Sequence, residues 1–330
     1  MLRRTVLQLP LVVALAVGPL AAATPVQAAP GVQHITGEVQ LATFSGEAGV
    51  RHTIRHADGT WDEFGALTGD RTERNLRSAI AYGEQHLVFD STPDSHGGGV
   101  VQHWVRHADR TWTVLSRTYL PYAQDFAVTG VLGVMHMVRL RPGGRLDHLT
   151  QTSDGSWVDQ VGVPFQVPSE NGSVAVASTG DQLHLLATNA AGTGFISAVR
   201  SPDWTWTTPV EVPFTTPLGG VTPSTVDIAQ VGDQLHAVVL GGDAQLYHSI
   251  RHADGRWDVF NNVGPEAGEP GTPVHVSVTP SRGTLQLAIA TSEGGLFHTI
   301  RFTDGAWQPF GDVQHEAGSV QSREVTIAGD

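Results

Sequence analysis

Apolar and polar residues alternate one by one along several short stretches of this chain. In the clearest stretch, Leu246–Arg251, His248 falls on one side with two aliphatic residues and Arg251 falls on the other. A period of two predicts a β-strand rather than a helix. Asp254 and Gly255 follow the stretch, and this dipeptide predicts a two-residue hairpin turn in which both residues take positive φ. The stretch is therefore predicted to be one arm of a β-hairpin.

The same hairpin pattern recurs along the chain, with a tryptophan at the matching position of each copy. The six copies carry Trp61, Trp112, Trp157, Trp206, Trp257 and Trp307. This spacing, 45–51 residues, is typical of a repeat protein. Two further apolar runs, Ser224–Gln230 and Gln234–Leu240, precede the hairpin of Trp257. Each unit is therefore predicted to be a meander of four antiparallel strands of about ten residues each, with little helix anywhere.

Six such units predict an all-β fold, a six-bladed β-propeller of four-stranded antiparallel blades. The last residues, Glu324–Asp330, resemble the first strand of a unit, and Val39–Phe44 resembles the second. The C-terminal strand is therefore predicted to join the N-terminal blade and close the ring. The predicted bounds are a signal at 1–28 and one propeller at 29–330, with blade 1 at 38–69 plus 322–330 and the other blades at about 76–118, 124–164, 172–214, 224–263 and 273–313.

The first 28 residues are predicted to be an export signal that is removed. Two arginines precede an apolar stretch, Leu7–Ala23, and Ala28 ends a Val-Gln-Ala cleavage site. A membrane anchor is the alternative, but Pro10 and Pro19 break the stretch, which is also short for a span. The arginine pair loosely resembles a twin-arginine signal, although a Sec signal is favoured. The protein is therefore predicted to be secreted, with no membrane span after the signal is removed.

The composition excludes several kinds of catalytic and metal site and argues against one class of partner. The formal charge is −13, and it becomes −15 when the two arginines of the signal are lost, which argues against nucleic acid as a partner. All 19 basic residues are arginine, so a catalytic lysine is excluded. The chain has no cysteine, which excludes disulfides, thiolate metal sites and cysteine nucleophiles. No cofactor, metal motif or catalytic residue is indicated.

The predicted two-residue turn also predicts which residues face each other across the hairpin. The predicted pairs are Arg55 with Asp62, Arg251 with Asp258, Arg301 with Gln308, His56 with Trp61, His107 with Trp112, His252 with Trp257 and Phe302 with Trp307. In one interpretation the tryptophan is core between blades and the arginine and the acid form an ion pair. In the other, arginine, acid, histidine and tryptophan form a sugar pocket between neighbouring blades, where the ring stacks on the sugar and the arginine binds its hydroxyls.

Two units depart from the repeat and add candidate ligand-binding residues. Trp204 stands where other units have the turn glycine, so it is predicted to be strained and exposed, as a sugar or protein contact would be. Arg110 takes the same position in another unit, where Trp104 lies on the same face as Arg106. Arg200, the matching arginine in the unit of Trp204, completes the candidate set. The alternative explanation is drift of a tolerant turn.

Histidines repeat at two positions of the unit. One set is His52, His103, His148, His248 and His298, and the other is His86, His136, His184 and His236. Because members of a set lie on different blades, they are too far apart to share a metal ion unless they lie near the axis. The favoured interpretation is structural, with each ring hydrogen-bonded within its own blade.

The unit from Leu246 to Val263 resembles the blade repeats of bacterial and fungal β-propeller lectins. These include the fucose-binding, bangle-lectin-like (PLL-like) and tectonin-like groups, which share the hydrophobic pair, the alternating strand, the Asp-Gly turn and the tryptophan. The resemblance covers nearly the whole chain after the signal. It implies a secreted, non-enzymatic lectin with repeated glycan sites in clefts between blades, and it implies multivalent binding of glycans or glycoconjugates. It carries no specific sugar, because no unit shows a full Arg–Glu–aromatic pocket.

Two other functions remain open. A propeller enzyme, either a glycan hydrolase or lyase or a cyclase, would need one asymmetric cluster at the central channel, and Glu73, Asp94, His96 and Asp125 are the candidates for it. A protein–protein interaction scaffold would use the flat face of the ring. The oligomeric state is not indicated by the sequence.

Overall fold

The computed structural model describes residues 37–46, 49–69, 73–91, 98–160, 162–167 and 172–330. The predicted signal at 1–28 lies outside these residues. Within them, the chain folds into six four-stranded antiparallel sheets. The all-β, six-bladed propeller predicted from the repeats is therefore confirmed.

Each blade takes four strands, and two short helices follow the fifth and sixth blades. The elements are β1 (Val39–Ser45), β2 (Gly49–Arg55), β3 (Gly65–Ala66), β4 (Glu73–Ala81), β5 (Glu84–Ser91), β6 (Gly98–Arg106), β7 (Trp112–Pro121), β8 (Asp125–Val131), β9 (Val134–Leu140), β10 (Leu146–Gln151), β11 (Trp157–Asp159), β12 (Val174–Thr179), β13 (Gln182–Thr188), β14 (Gly194–Arg200), β15 (Val210–Pro213), β16 (Pro223–Val231), β17 (Gln234–Gly241), β18 (Leu246–Arg251), β19 (Asn261–Asn262), α1 (Gly264–Ala267), β20 (Pro273–Ser281), β21 (Thr284–Thr291), β22 (Leu296–Arg301), β23 (Gly311–Asp312), α2 (Val313–Ala317) and β24 (Glu324–Ala328).

The ring is closed by β24, which is the innermost strand of blade 1. It pairs antiparallel with β1 in the order β24-β1-β2-β3, with Leu41 opposite Ile327. The inner strands β24, β4, β8, β12, β16 and β20 contact one another in that order and return to β24. Val325 and Ile327 are buried with Val39 and Leu41 in the core between blades 6 and 1. The predicted closure is therefore confirmed.

The outer strands are shorter than predicted. β3, β19 and β23 have two residues each, whereas β7 has ten. The reason is that backbone groups beyond the tryptophan bond to the preceding blade instead of to their own third strand. The N–H groups of Phe64, Phe260 and Phe310 donate to the carbonyls of Ala317, Thr215 and Ala267, each at 2.9 Å.

The sequence pattern missed α1 and α2, which have four and five residues. A helix this short has no visible period, and only its cap can reveal it. Asp312 caps α2, because its carboxylate accepts from the N–H groups of Gln314 and His315 at 2.9 and 3.2 Å.

Buried acids at one end of the central axis join the blades in pairs. The Asp125 carboxylate of blade 3 accepts from the Ser173 hydroxyl at 3.1 Å and from the Val174 N–H at 3.0 Å, both in blade 4. Asp227 of blade 5 makes the same two bonds to Ser277 and Val278 of blade 6, at 3.1 and 2.8 Å. Each of these two acids therefore bonds to the blade that follows its own.

Glu324 on β24 of blade 1 accepts from the Leu76 N–H of blade 2 at 3.0 Å. Arg77 lies among the three acids and donates to Asp125 at 2.5 Å and to the Phe126 carbonyl at 2.8 Å. These bonds tie blade 1 to blade 2, blade 2 to blade 3, blade 3 to blade 4, and blade 5 to blade 6 at the axis.

Candidate functional site

The repeated hairpin has a three-residue loop instead of the predicted two-residue turn. In blade 1 the His56 N–H donates to the Thr60 carbonyl at 2.8 Å, and the Gly59 N–H donates to the His56 carbonyl at 3.0 Å. Only the glycine has positive φ, 94°. This is a turn followed by one left-handed residue, which adds a residue to the loop. As a result Arg55, and not His56, lies opposite Trp61.

This one-residue difference makes the predicted arginine–acid and histidine–tryptophan pairs wrong. Asp62 bonds instead to His56, whose Nε2 lies 2.8 Å from the carboxylate, and Asp258 bonds to His252 at 2.9 Å. In blade 2, where no acid follows the tryptophan, the Nδ1 of His107 lies 2.6 Å from the carboxylate of Glu84. Arg251 and Arg301 lie opposite Trp257 and Trp307, as Arg106 lies opposite Trp112 and Arg200 opposite Trp206.

The arginine–tryptophan face of each blade points to the preceding blade. Five of the six tryptophans contact the buried histidine of that blade, at ring-centre distances of 5.0–5.8 Å. The contacts are Trp112 with His52, Trp157 with His103, Trp206 with His148, Trp307 with His248 and Trp61 with His298. For these five tryptophans, the interpretation as core between blades is therefore confirmed. Because side chains alternate along a strand, the histidine–acid pairs, such as His56 with Asp62, lie on the opposite face of the blade from the arginine and the tryptophan.

The buried histidines are bonded within their own blades, as predicted. The bonds join His86 to His103 at 2.8 Å, His136 to His148 at 2.9 Å, His236 to His248 at 3.0 Å, His52 to Gln40 at 3.1 Å and His298 to Gln286 at 3.0 Å. In a bond between two rings, one neutral nitrogen accepts and the other donates. In the part of the chain that the structure describes, no group of three or more His, Cys, Asp or Glu could hold a metal ion.

The repeated arginines face these histidines across the blade boundary. Burial, together with the charge of Arg200, lowers the pKa of His148 to about 3. Burial and Arg55 likewise lower the pKa of His298 to about 3. An arginine beside a neutral histidine gains no counter-charge from it. Each boundary of this type therefore combines an apolar indole, a neutral imidazole and a guanidinium.

The guanidinium groups lack acidic partners. Among the described residues, the side chains of the five repeated arginines make no ion pair and no hydrogen bond: Arg55, Arg106, Arg200, Arg251 and Arg301. The Nε of Arg200 is buried without a partner. Burial, partly offset by the charge of Asp203, lowers the pKa of Arg200 to about 10. A desolvated cation of this kind is suited to a ligand that supplies acceptor oxygens.

The boundary between blades 4 and 5 contains an open cleft of about 680 Å³. Arg251, Trp257 and Gly255 line it from blade 5, and Ser197 and Thr207 line it from blade 4. Blade 4 has Ser197 where the other blades carry the buried histidine, which leaves room beside the indole. The volume lies within the roughly 300–1,000 Å³ that is typical of small-molecule sites.

The residues that depart from the repeat lie at two other boundaries. Trp204 has φ of 71° and is 44% exposed, as predicted, and its ring lies over Arg200. Trp104 is partly buried between blades 1 and 2, 6.4 Å from the ring of Phe89. It is therefore a core residue of that boundary, although the sequence suggested a contact residue. Gln151 takes the place of the arginine in blade 3 and bonds to His103.

A second cavity, of about 240 Å³, lies on the central axis. Of the four residues proposed for an enzyme cluster there, Asp125 is at the axis, where Arg77, Ser173 and two backbone N–H groups occupy its oxygens. Asp94, His96 and the side chain of Glu73 lie outside the described residues, so the cluster stays a prediction. No helix in the described ranges is both long and apolar enough to span a membrane.

Comparison with known proteins agrees with the fold. No family model and no curated protein matches the sequence. Aleuria aurantia lectin, solved in complex with Fucα1-6GlcNAc, superposes with a TM-score of 0.56 and 11% identity, covering 79% of this chain and 87% of the lectin. AofleA from Arthrobotrys oligospora superposes with a TM-score of 0.57 and 11% identity, covering 91% of this chain and 92% of AofleA. A lectin from Burkholderia pseudomallei superposes with a TM-score of 0.55 and 14% identity, covering 83% of this chain and 80% of that lectin. The chain therefore shares the fold of these proteins.

Proposed function

We propose that this protein is a secreted, non-enzymatic lectin that binds glycans in the clefts between neighbouring blades. One observation carries the proposal: the guanidinium of Arg251 has no acidic partner among the described residues and lies beside Trp257 in the 680 Å³ cleft. An indole offers a flat apolar surface to the C–H face of a sugar, and a guanidinium offers parallel N–H donors to adjacent hydroxyls. The export signal predicted at 1–28 supports an extracellular role.

The fold supports the choice of a glycan. The solved propellers described above include a lectin in complex with a fucosyl disaccharide, so the same backbone accommodates sugars elsewhere. Recurrence of the arginine–tryptophan pair around the ring supports multivalent binding, in which several weak sites act together.

The test is a glycan array probed with the protein lacking residues 1–28, followed by calorimetric titration with a glycan that binds. We expect Arg251→Ala to remove binding at the cleft between blades 4 and 5, and so to lower the number of sites per chain. Arg256→Ala is the matched control, because Arg256 is on the same hairpin with a side chain 66% exposed and is not part of the cleft lining.

An array without any bound glycan would contradict the proposal. So would an equal loss of binding in the Arg251→Ala and Arg256→Ala proteins, because the effect would then come from net charge and not from the cleft.

A further inference from the structure

We propose that the last residue of each hairpin turn controls access to the arginine of that hairpin. The space over the arginine, here called its cleft, is then open at Arg55, Arg251 and Arg301 and closed at Arg106 and Arg200. The identity of the ligand rests on the proposed function, but the opening and closing of the clefts does not. The proposal assigns three open sites to a chain with six blade boundaries.

The turn residue lies directly over the arginine of its own hairpin. A Cβ placed on Gly59, Gly255 or Gly305 would lie 3.3, 3.4 or 3.2 Å from the nearest guanidinium nitrogen of the arginine in the same hairpin. Any side chain at this position must therefore extend across the guanidinium. With glycine there, Arg55, Arg251 and Arg301 all remain partly exposed.

Trp204 shows what a large side chain does at this position. The guanidinium carbon of Arg200 lies 3.6 Å from the centre of the indole ring. The same ring stacks on His136 of blade 3 at 6.1 Å and 24°. Arg200 is consequently only 3% exposed, while Trp204 itself is 44% exposed. The indole is a cover over the cleft between blades 3 and 4.

The cover is held at an energetic cost. Positive φ is unfavourable for a residue with a side chain. A cation–π contact with a desolvated cation is favourable, so the stack over Arg200 offsets the backbone strain at Trp204. The indole therefore stays on the guanidinium instead of swinging into solvent.

Arg110 closes the cleft between blades 1 and 2 in a different way. Its guanidinium reaches across the boundary to Glu38 at 3.5 Å and to Asp62 at 3.6 Å, both in blade 1. Arg106 beneath it is only 2% exposed. The remaining boundary, between blades 2 and 3, has Gln151 in place of arginine and so has no guanidinium to uncover.

Chemical labelling of arginine tests the proposal without any glycan. The folded protein is treated with phenylglyoxal, and the rate of modification of each arginine is followed by peptide mass spectrometry. We expect Arg55, Arg251 and Arg301 to react faster than Arg106 and Arg200. Trp204→Gly should raise the rate at Arg200 to that of Arg251, and Gly255→Trp should lower the rate at Arg251 to that of Arg200 in the unaltered protein.

Leu132→Gly is the matched control, because Leu132 is also a large residue at positive φ, 49°, and is 64% exposed. It should leave every arginine rate unchanged. Trp204→Gly relieves strain and needs no new space, so it tests the proposal even if Gly255→Trp fails to fold. An unchanged rate at Arg200 in the folded Trp204→Gly protein would overturn the proposal.

Titration with α-methyl-L-fucoside separates this proposal from the function. If the fucoside binds, Trp204→Gly should add one site per chain. If labelling follows the turn residue while neither the fucoside nor any array glycan binds, the opening of the clefts stands and the lectin function fails.

Discussion

A single turn residue sets the environment of each repeated arginine. Where the residue is glycine, the arginine is partly exposed; where it is Trp204 or Arg110, the arginine is only 3% or 2% exposed. The two covers differ in physical kind. Trp204 is held by stacking, whereas Arg110 is held by ion pairs on a side chain that is 57% exposed.

Salt should therefore distinguish the two covers. Exposed ion pairs are weak, and raising the ionic strength from 0.1 to 1 M shortens the screening length from about 10 to about 3 Å. We expect 1 M NaCl to increase the phenylglyoxal modification of Arg106 and to leave that of Arg200 unchanged. Equal responses at the two arginines would show that both covers are of one kind.

Residue identities alone gave a partial account of the site. The strain and exposure of Trp204 followed from its place in a glycine position. The sequence did not predict that Arg251 lacks an acidic partner, because a two-residue turn would have placed Asp258 opposite the arginine. One added loop residue sends that acid to the other face, and the Asp-Gly dipeptide is compatible with both loops.

At the scale of elements, β24 determines whether the ring is closed. Its side chains Val325 and Ile327 are 0% and 2% exposed, and its Glu324 carboxylate bonds to blade 2. The strand was predictable because the chain ends carry complementary parts of one repeat. The lengths of the outer strands were not, because the Phe260 N–H bonds to another blade, and alternation within one unit gives no sign of such a bond.

Removing the closing strand should destabilise the whole ring. We expect deletion of residues 322–330 to lower the melting temperature sharply, and Ile327→Ala to cost about 2–5 kcal/mol of unfolding free energy through the cavity it leaves. Phe302→Ala is the control, because Phe302 is 42% exposed and its loss should change stability by less than about 0.5 kcal/mol. A melting temperature unaffected by the deletion would contradict closure by β24.

At the scale of the molecule, many histidines are buried in the ring in their neutral form. Ten described histidines have a lowered pKa, with burial as the first cause in each: His52, His86, His103, His136, His148, His184, His236, His248, His275 and His298. Burial also raises the pKa of three acids, to about 6 for Asp90 and Asp227, and in the same direction for Glu324.

The protein should consequently lose stability as the pH falls below about 6.5. There the unfolded chain protonates its histidines while the folded chain does not, so each histidine destabilises the fold by about 1.4 kcal/mol per pH unit. The three acids act oppositely, since the folded state binds their protons first, but ten histidines outweigh them. Urea midpoints should be equal at pH 8 and pH 6.5 and much lower at pH 5.

His136→Gln provides the matched variant for this effect, because blades 1 and 6 already pair glutamine with histidine at that place through Gln40 and Gln286. The variant should fold and should reduce the slope below pH 6.5 by the contribution of one histidine. Midpoints that do not change between pH 8 and 5 would show that the histidines do not control stability.

The three open clefts have a geometric consequence for the whole ring. Their arginines, Arg251, Arg301 and Arg55, belong to blades 5, 6 and 1, which are consecutive, so the clefts occupy one continuous arc. Blades 2–4 form the opposite arc, which carries the two covered arginines and Gln151. Blades 5, 6 and 1 would contact a ligand-bearing surface, and blades 2–4 would lie on the side away from it. We therefore expect one chain to attach to a single surface in a fixed orientation, instead of bridging two.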